Sequence, residues 1–321
     1  MAWFNMSYKG GKSIKMVKNS KINTKRRNKR GMEKIGEFEL NKTHLGDCME
    51  LAKKLPDNSV DLIVTSPPYA DTVSYGKKVE VFNPEDYVNW FLELFKEANR
   101  FLKDSGSFVL NINDKANNGE RSTYVFELVY RIVKETGLKL FDRYIWFKKS
   151  ALPMTGEKRL NDRVEYIFHF VKDSKKFKTY TDRIREPYAE VSLKRFKNKV
   201  HGNDIVNPDG TTVLSQRGSS KPHPLGKKPI TVFRFDTGSA LRGLEHPAPF
   251  HPQLPEFFVK WLTDENDIVL DPFMGGGTVA EVCLKMNRKY IGFDVNQKYI
   301  DMTEKRLKEA FPDKNINKFL N

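Results

Sequence analysis

The stretch Ile268-Val269-Leu270-Asp271-Pro272-Phe273-Met274-Gly275-Gly276-Gly277-Thr278 reads as a short apolar strand, a tight turn and the start of a helix. Gly275 and Gly277 allow positive φ and a close approach of backbone to a ligand. A helix over Val279–Met286 then offers unpaired N–H groups at its first turn. Sixteen residues after Thr278 comes Asp294, closing a second strand over Tyr290–Val295, where an acid is placed to accept hydrogen bonds from ribose hydroxyls. A lone glycine loop is most often a structural turn. Strand, loop, helix, strand and acid in this order point instead to a nucleoside-binding α/β unit.

The loop carries no Gly-Lys-Ser/Thr, so it is not a phosphate-binding P-loop, and it lacks the Gly-x-Gly-x-x-Gly dinucleotide pattern. Asp271 is placed to accept from the amino group of a zwitterionic methionine, which favours S-adenosylmethionine over a dinucleotide. The N-terminal half repeats the α/β alternation. An apolar strand near residues 58–64 enters Thr65-Ser66-Pro67-Pro68-Tyr69, residues 84–102 carry helical spacing, and Gly106–Asn111 is a strand. Residues 121–136 read as a helix, Phe141–Phe147 as a strand, and about Gln297–Ala310 as a last helix. The expected fold is a Rossmann-like α/β sheet of parallel strands with helices on both faces.

Residues 172–234 interrupt that pattern, being rich in Lys, Arg, Gly, Pro and Ser. They hold fifteen basic and six acidic residues, a net +9, while residues 1–31 carry +10 with no acid. The whole chain of 321 residues is +15, so the remainder is mildly acidic, and two basic segments on such a body suit a polyanionic partner. A charge run is ordinarily a solvated face or tail, and for the N-terminal run taken alone that reading is the favoured one. The organisation expected is a basic, disordered arm over 1–31, a catalytic half over 32–171, a target-recognition region over 172–240 and a cofactor-binding half over 241–321. Met32 stands where ordered patterning begins and is a second candidate start. Two cysteines, Cys48 and Cys283, build no disulfide framework and suit a reducing cytosol. No apolar run approaches the roughly 20 residues that span a bilayer, and the expectation is a soluble cytoplasmic, nucleoid-associated protein.

In Ser66-Pro67-Pro68-Tyr69 the prolines fix φ and remove two N–H donors, leaving a rigid carbonyl, a hydroxyl and a stacking ring. Those are the groups an exocyclic amine needs; the plainer alternative is a proline turn with a packing tyrosine. With both motifs in hand, the chain resembles the amino-methyltransferases of bacterial restriction–modification systems. The catalytic motif precedes the cofactor motif, as in the permuted β class, and the resemblance runs from about Leu45 to Leu307.

The resemblance implies a site-specific DNA methyltransferase, with Ser in the first motif position favouring cytosine N4 over adenine N6. It implies catalytic roles for Ser66, Pro67, Pro68 and Tyr69. It implies S-adenosylmethionine contacts from Asp47, Cys48, Thr65, His246, Phe250, Asp271, Pro272, Phe273, Gly275, Gly277, Thr278 and Asp294. Gly46-Asp47-Cys48 resembles the segment bordering the cofactor adenine, and His246-Pro247-Ala248-Pro249-Phe250 the segment covering its methionine. His251-Pro252 departs from the pattern, which places Pro directly after Phe. Trp146-Phe147-Lys148-Lys149 resembles the lining of the target-base pocket, so Trp146 and Lys148 are expected at DNA. Arg183, Arg185, Arg195 and Arg217 are candidates for reading guanine, because a guanidinium pairs with it bidentately. No metal is expected. The partners implied are duplex DNA and a cognate restriction endonuclease, and the protein is a monomer or homodimer. Rival readings are an N6-adenine enzyme, a catalytically inactive DNA-binding protein, and an RNA or protein methyltransferase. The absence of a Pro-Cys nucleophile motif argues against C5-cytosine chemistry.

Overall fold

The computed structural model describes residues 33–70, 83–117, 119–149, 158–197, 205–206, 212–213, 222–235 and 251–312. Its centre is an eight-stranded sheet. In chain order the strands are β1 (Lys42–Leu45), β2 (Val60–Thr65), β3 (Leu102–Ile112), β4 (Lys139–Lys148), β5 (Val164–Val171), β6 (Val232–Phe235), β7 (Ile268–Asp271) and β8 (Lys289–Asp294). Their spatial order is β6-β4-β5-β3-β2-β7-β8-β1. The helices are α1 (Cys48–Ala52), α2 (Pro84–Phe101), α3 (Tyr124–Glu135), α4 (Glu190–Lys197), α5 (Gln253–Leu262), α6 (Thr278–Lys285) and α7 (Gln297–Ala310).

Strand alternation explains the layers. Phe108, Leu110 and Ile112 of β3 face one core with Leu270, Ile291 and Phe293, against α1, α2 and α3. Val109, Leu62, Val64, Val269 and Tyr290 face the other, against α5, α6 and α7. Both faces are covered, which is why every residue of β2 is buried and Leu62-Ile63-Val64 at its centre is a continuous apolar run. The aromatic content concentrates here: the Phe95 and Phe108 rings stack at 4.3 Å, and each such buried Phe contributes about 1.5–3 kcal/mol. Asn83 caps α2, accepting from the backbone N–H of Asp86, and Pro84 occupies the first turn, where its missing donor costs nothing.

The sheet departs from the all-parallel expectation in one strand. β5 pairs antiparallel with both β3 and β4, while every other pairing in this sheet is parallel. The physical reason lies in the strand ends: Val164 at the start of β5 pairs with Phe147 at the end of β4, so β5 enters the sheet at the edge where β4 leaves it, which an antiparallel pair allows without a crossover. The carboxyl ends of β2, β3, β7 and β8 therefore lie together at one edge, joined by the amino end of β5.

The basic middle segment is less separate than its composition suggests. Its last part, Val232–Phe235, is the edge strand β6, parallel to β4, so the sheet resumes before the expected boundary at residue 240. Its first part runs along the amino-terminal edge. Lys178 Nζ lies 3.0 Å from Asp61 Oδ1 and 2.9 Å from Asp267 Oδ2, at the starts of β2 and β7. Between them lie a 3₁₀ turn at Thr181–Ile184, α4, and a two-residue ribbon pairing Ile205–Val206 with Thr212–Val213. The arm over 1–31 lies outside the described residues.

Candidate active site

The glycine loop is shaped by two carboxylates, Asp271 buried and Asp294 half-buried. Asp294 ends β8, and its two carboxylate oxygens accept from Gly275 N and Asn296 N, each at 2.8 Å. Asp271 ends β7 and accepts from Phe273 N at 3.0 Å and from the Thr65 hydroxyl at 2.7 Å. Burial pushes the Asp271 carboxyl up to about 7, against the opposing pull of Thr65 and the Phe273 N–H. Burial likewise raises Asp294. Desolvation disfavours the charged form of both acids, and a cation placed beside them would restore it.

Helix α7 straps the loop. Thr303 donates to Gly275 O at 3.0 Å and Arg306 to Gly276 O at 2.7 Å, while Arg306 also pairs with Glu281 of α6. Gly277 has φ +75, and a Cβ there would sit 2.4 Å from Thr303 Cγ2, so the close packing of α7 requires glycine. Gly275 also takes positive φ, at +49. Gly46 N donates to Asp294 O at 2.9 Å, which brings the Asp47–Cys48 turn beside the same strand end. There Asp47 caps α1, accepting from Met49 N at 2.7 Å. Cys48 is buried and its thiol is pushed up by burial, so it acts as a packing group.

The Thr65–Asp271 bond joins this loop to the proline motif, since Thr65 is the last residue of β2 and Ser66 follows it. The Tyr69 hydroxyl donates to Glu165 Oε2 at 2.8 Å and accepts from Asn111 Nδ2 at 2.8 Å. Asn111 Nδ2 also donates to Glu165 Oε2 at 2.6 Å. Ser66 Oγ lies 3.4 Å from both the Tyr69 hydroxyl and Asn111 Nδ2. On its far side Glu165 pairs with the Lys148 ammonium. That ammonium sits 5.2 Å over the Trp146 ring, whose indole N–H donates to Phe235 O at 3.1 Å. Burial, then the charge of Glu165, hold the Tyr69 phenol well above its usual range, so it stays protonated.

A rigid proline loop with a hydroxyl at its head is thus tied by one hydrogen bond, from Thr65 to Asp271, to the glycine loop and its two carboxylates. Comparison with known proteins decides what family builds this. A family model described as DNA methylase, for N6/N4 methyltransferases, matches residues 60–305. The chain belongs to this DNA methylase family. The Type II methyltransferase M.PvuII of Proteus hauseri is 32% identical over 85% of the methylase chain and 84% of its own. The solved PvuII DNA methyltransferase (cytosine-N4-specific) superposes with a TM-score of 0.61 at 26% identity, covering 87% of this chain and 92% of that one. A putative DNA modification methylase of Thermus thermophilus, complexed with S-adenosyl-L-methionine, shares the fold, with a TM-score of 0.57 at 22% identity over 85% and 95% of the two chains.

In the methylase, Ser66, Pro67, Pro68, Tyr69, Thr65, Asp271, Pro272, Phe273, Gly275, Gly277, Thr278, Asp294, Asp47 and Cys48 all gather at the carboxyl edge of the sheet. Trp146 and Lys148 reach the same edge at the end of β4. His246, Phe250 and Arg217 lie outside the described residues, as does the side chain of Arg195. Two of the candidate arginines are engaged within the chain. Arg183 donates to Thr263 O and to Asp264 Oδ1, each at 3.0 Å, and covers Tyr180 at 3.9 Å. Those partners precede β7, so Arg183 braces the amino-terminal edge, opposite the catalytic loops. Arg185 is committed to Asp182 at 2.6 Å and to Gly226 O at 3.0 Å, holding the middle segment to itself. Sequence reasoning missed Asn111 and Glu165. Each is a polar residue in an apolar strand (Phe-Val-Leu-Asn-Ile and Val-Glu-Tyr-Ile), and such an interruption was the signal that could have found them.

Proposed function

We propose that this DNA methylase transfers a methyl group from S-adenosylmethionine to the N4 amino group of a cytosine flipped out of duplex DNA. The observation that carries the reading is the 2.7 Å bond from Thr65 to Asp271, which locks the proline motif against the glycine loop and sets the two reactants side by side. Cytosine N4 is supported by Ser66 at the head of the motif and by the likeness to M.PvuII, whose structure is described as cytosine-N4-specific. In the same reading a cognate restriction endonuclease is the functional partner, as for a Type II methyltransferase.

Asp271 and Asp294 fit a ligand with cationic centres and ribose hydroxyls, because burial desolvates Asp271 fully and Asp294 in part, and each carboxylate keeps lone-pair capacity beyond its present donors. The cofactor supplies an electrophilic methyl group carried on a sulfonium. Asp294 holds the ribose, and Asp271 faces the methionine amino group. The target amine hides in the duplex and has to be flipped out. Tyr69, pinned by its hydroxyl, stacks on the base. Ser66 Oγ and Pro67 O accept from the amine hydrogens and keep its lone pair out of the ring. Base reading in this account falls to Arg195 and Arg217 of the middle segment. Sequencing of modified bases in DNA from cells expressing the protein tests the proposal. N4-methylcytosine at one fixed motif supports it, and N6-methyladenine replaces the base assignment while keeping the chemistry.

A further inference from the structure

The hydrogen-bond chain behind Ser66 has a direction, and one residue sets it. A carboxylate only accepts. Glu165 Oε2 therefore takes the single proton of the Tyr69 hydroxyl, and one hydrogen of the Asn111 amide. Tyr69, having given its hydrogen away, faces Ser66 as an acceptor, so at the 3.4 Å contact Ser66 is the donor. Asn111 Nδ2 also points its hydrogens at this cluster, which leaves Ser66 Oγ with lone-pair capacity and no hydrogen for anything in front of it. Asn111 Oδ1, oriented by the same carboxylate, is a buried acceptor with no partner among the described residues. Lys148 fixes Glu165 from the other side.

We infer that Glu165 is a positioning residue that polarises this chain so that the pocket accepts hydrogens and selects an exocyclic amine over a ring carbonyl, and that it receives the proton the amine loses. The inference rests on the reading that the target is a base amine. In the transfer, the amine nitrogen uses its lone pair to bond the methyl carbon, and the sulfur keeps the pair of the broken S–C bond. The nitrogen then loses one N–H proton to Ser66 Oγ and keeps that electron pair. Ser66 passes its own proton to the Tyr69 oxygen, and Tyr69 passes its own to Glu165. Ser66 and Tyr69 end neutral, and the protonated carboxyl returns its proton to solvent once the product leaves.

Glu165→Gln reverses the polarity at constant shape. Lys148 draws the new amide oxygen, so the amide hydrogens face Tyr69 and Asn111, and Ser66 is freed to donate. The test follows once the methylated position is mapped. Duplexes carrying cytosine or uracil at that position differ in amine against carbonyl at the same atom. Their affinities are measured for wild type and Glu165→Gln, and comparing the same duplexes across proteins cancels the cost of flipping. The wild type is expected to prefer cytosine, and the variant to lose at least fivefold of that preference. Its kcat should fall on the order of a hundredfold with little change in KM for DNA, and its S-adenosylmethionine affinity should hold within twofold. A variant that keeps both the cytosine preference and kcat within twofold of wild type overturns the inference. If Glu165→Gln does not fold, Tyr69→Phe interrupts the same chain and is expected to lose the same preference; a wild-type preference in Tyr69→Phe also overturns it. Should mapping show adenine as the target, adenine against hypoxanthine asks the same question, so a wrong base and a wrong role for Glu165 give different results.

Discussion

The glycine loop takes its turns, its caps and its strap from residues 271–306, while the cluster around Ser66 draws on four strands: Ser66 and Tyr69 after β2, Asn111 in β3, Lys148 in β4 and Glu165 in β5. The first is a local device, in which backbone amides and two glycines with positive φ do most of the shaping. The second is a convergence of side chains that are distant in sequence. A local device tolerates change elsewhere in the fold, whereas a convergent one depends on strand register. A one-residue slip of β5 would swing Glu165 to the other face.

Separable construction predicts separable defects. The largest is expected from Ser66→Ala, which removes the acceptor proposed for the amine: kcat should fall by roughly 10²–10³. Calorimetry should find S-adenosylmethionine binding unchanged, and a parallel loss of binding would show the two devices are one. Gly277→Ala is the mirror case. The left-handed φ and the clash with Thr303 Cγ2 should destabilise the fold by about 2–3 kcal/mol, read as a lower Tm, with weaker cofactor binding. Adding Thr303→Ala should recover only the steric part.

What could be read from the sequence follows the same division. The unit from Ile268 to Asp294 announces itself because strand, glycine turn, helix and acid are contiguous, and the structure returns them within a residue or two. Ser66 and Tyr69 were equally plain, being anchored to prolines. Asn111 and Glu165 were not, because nothing in a linear chain says that the end of β3 meets the start of β5. The reversal of β5 hid for a related reason: an apolar strand looks alike in either direction, and only its pairing with β3 and β4 fixes it. The partners of Arg183 and Arg185 were not legible either, because charge alone does not distinguish a phosphate contact from an arginine that caps a carbonyl of its own chain.

Smaller effects sharpen the division further. Asp294→Ala removes the acceptor of Gly275 N and Asn296 N as well as that proposed for ribose, and should weaken cofactor binding by about 1–3 kcal/mol. Retained affinity would place ribose elsewhere. Asp271 gives a pH signature. With its carboxyl near 7, binding of a cationic ligand below that pH must expel a proton, so affinity should fall as pH drops from 8 to 6. Asp271→Asn should flatten the slope. The same raised value means that the protein without ligand is favoured by a neutral Asp271, and its stability should decline as pH climbs from the ordinary carboxylate range through 7. Smallest of all, Arg183→Ala should lower stability by up to about 1 kcal/mol and leave the methylated motif unchanged, because its partners are Thr263 O and Asp264 at the far edge. A relaxed motif would return it to the DNA.

The central claim is that the Ser66 cluster and the glycine loop together methylate a cytosine amine. Its most direct test is to incubate duplex DNA carrying the mapped motif with purified protein and methyl-labelled S-adenosylmethionine, digest the DNA to nucleosides and locate the label. The account predicts that the label appears in N4-methylcytosine and is absent from the same reaction with Ser66→Ala. Label in 5-methylcytosine, or an undiminished yield from Ser66→Ala, would contradict it.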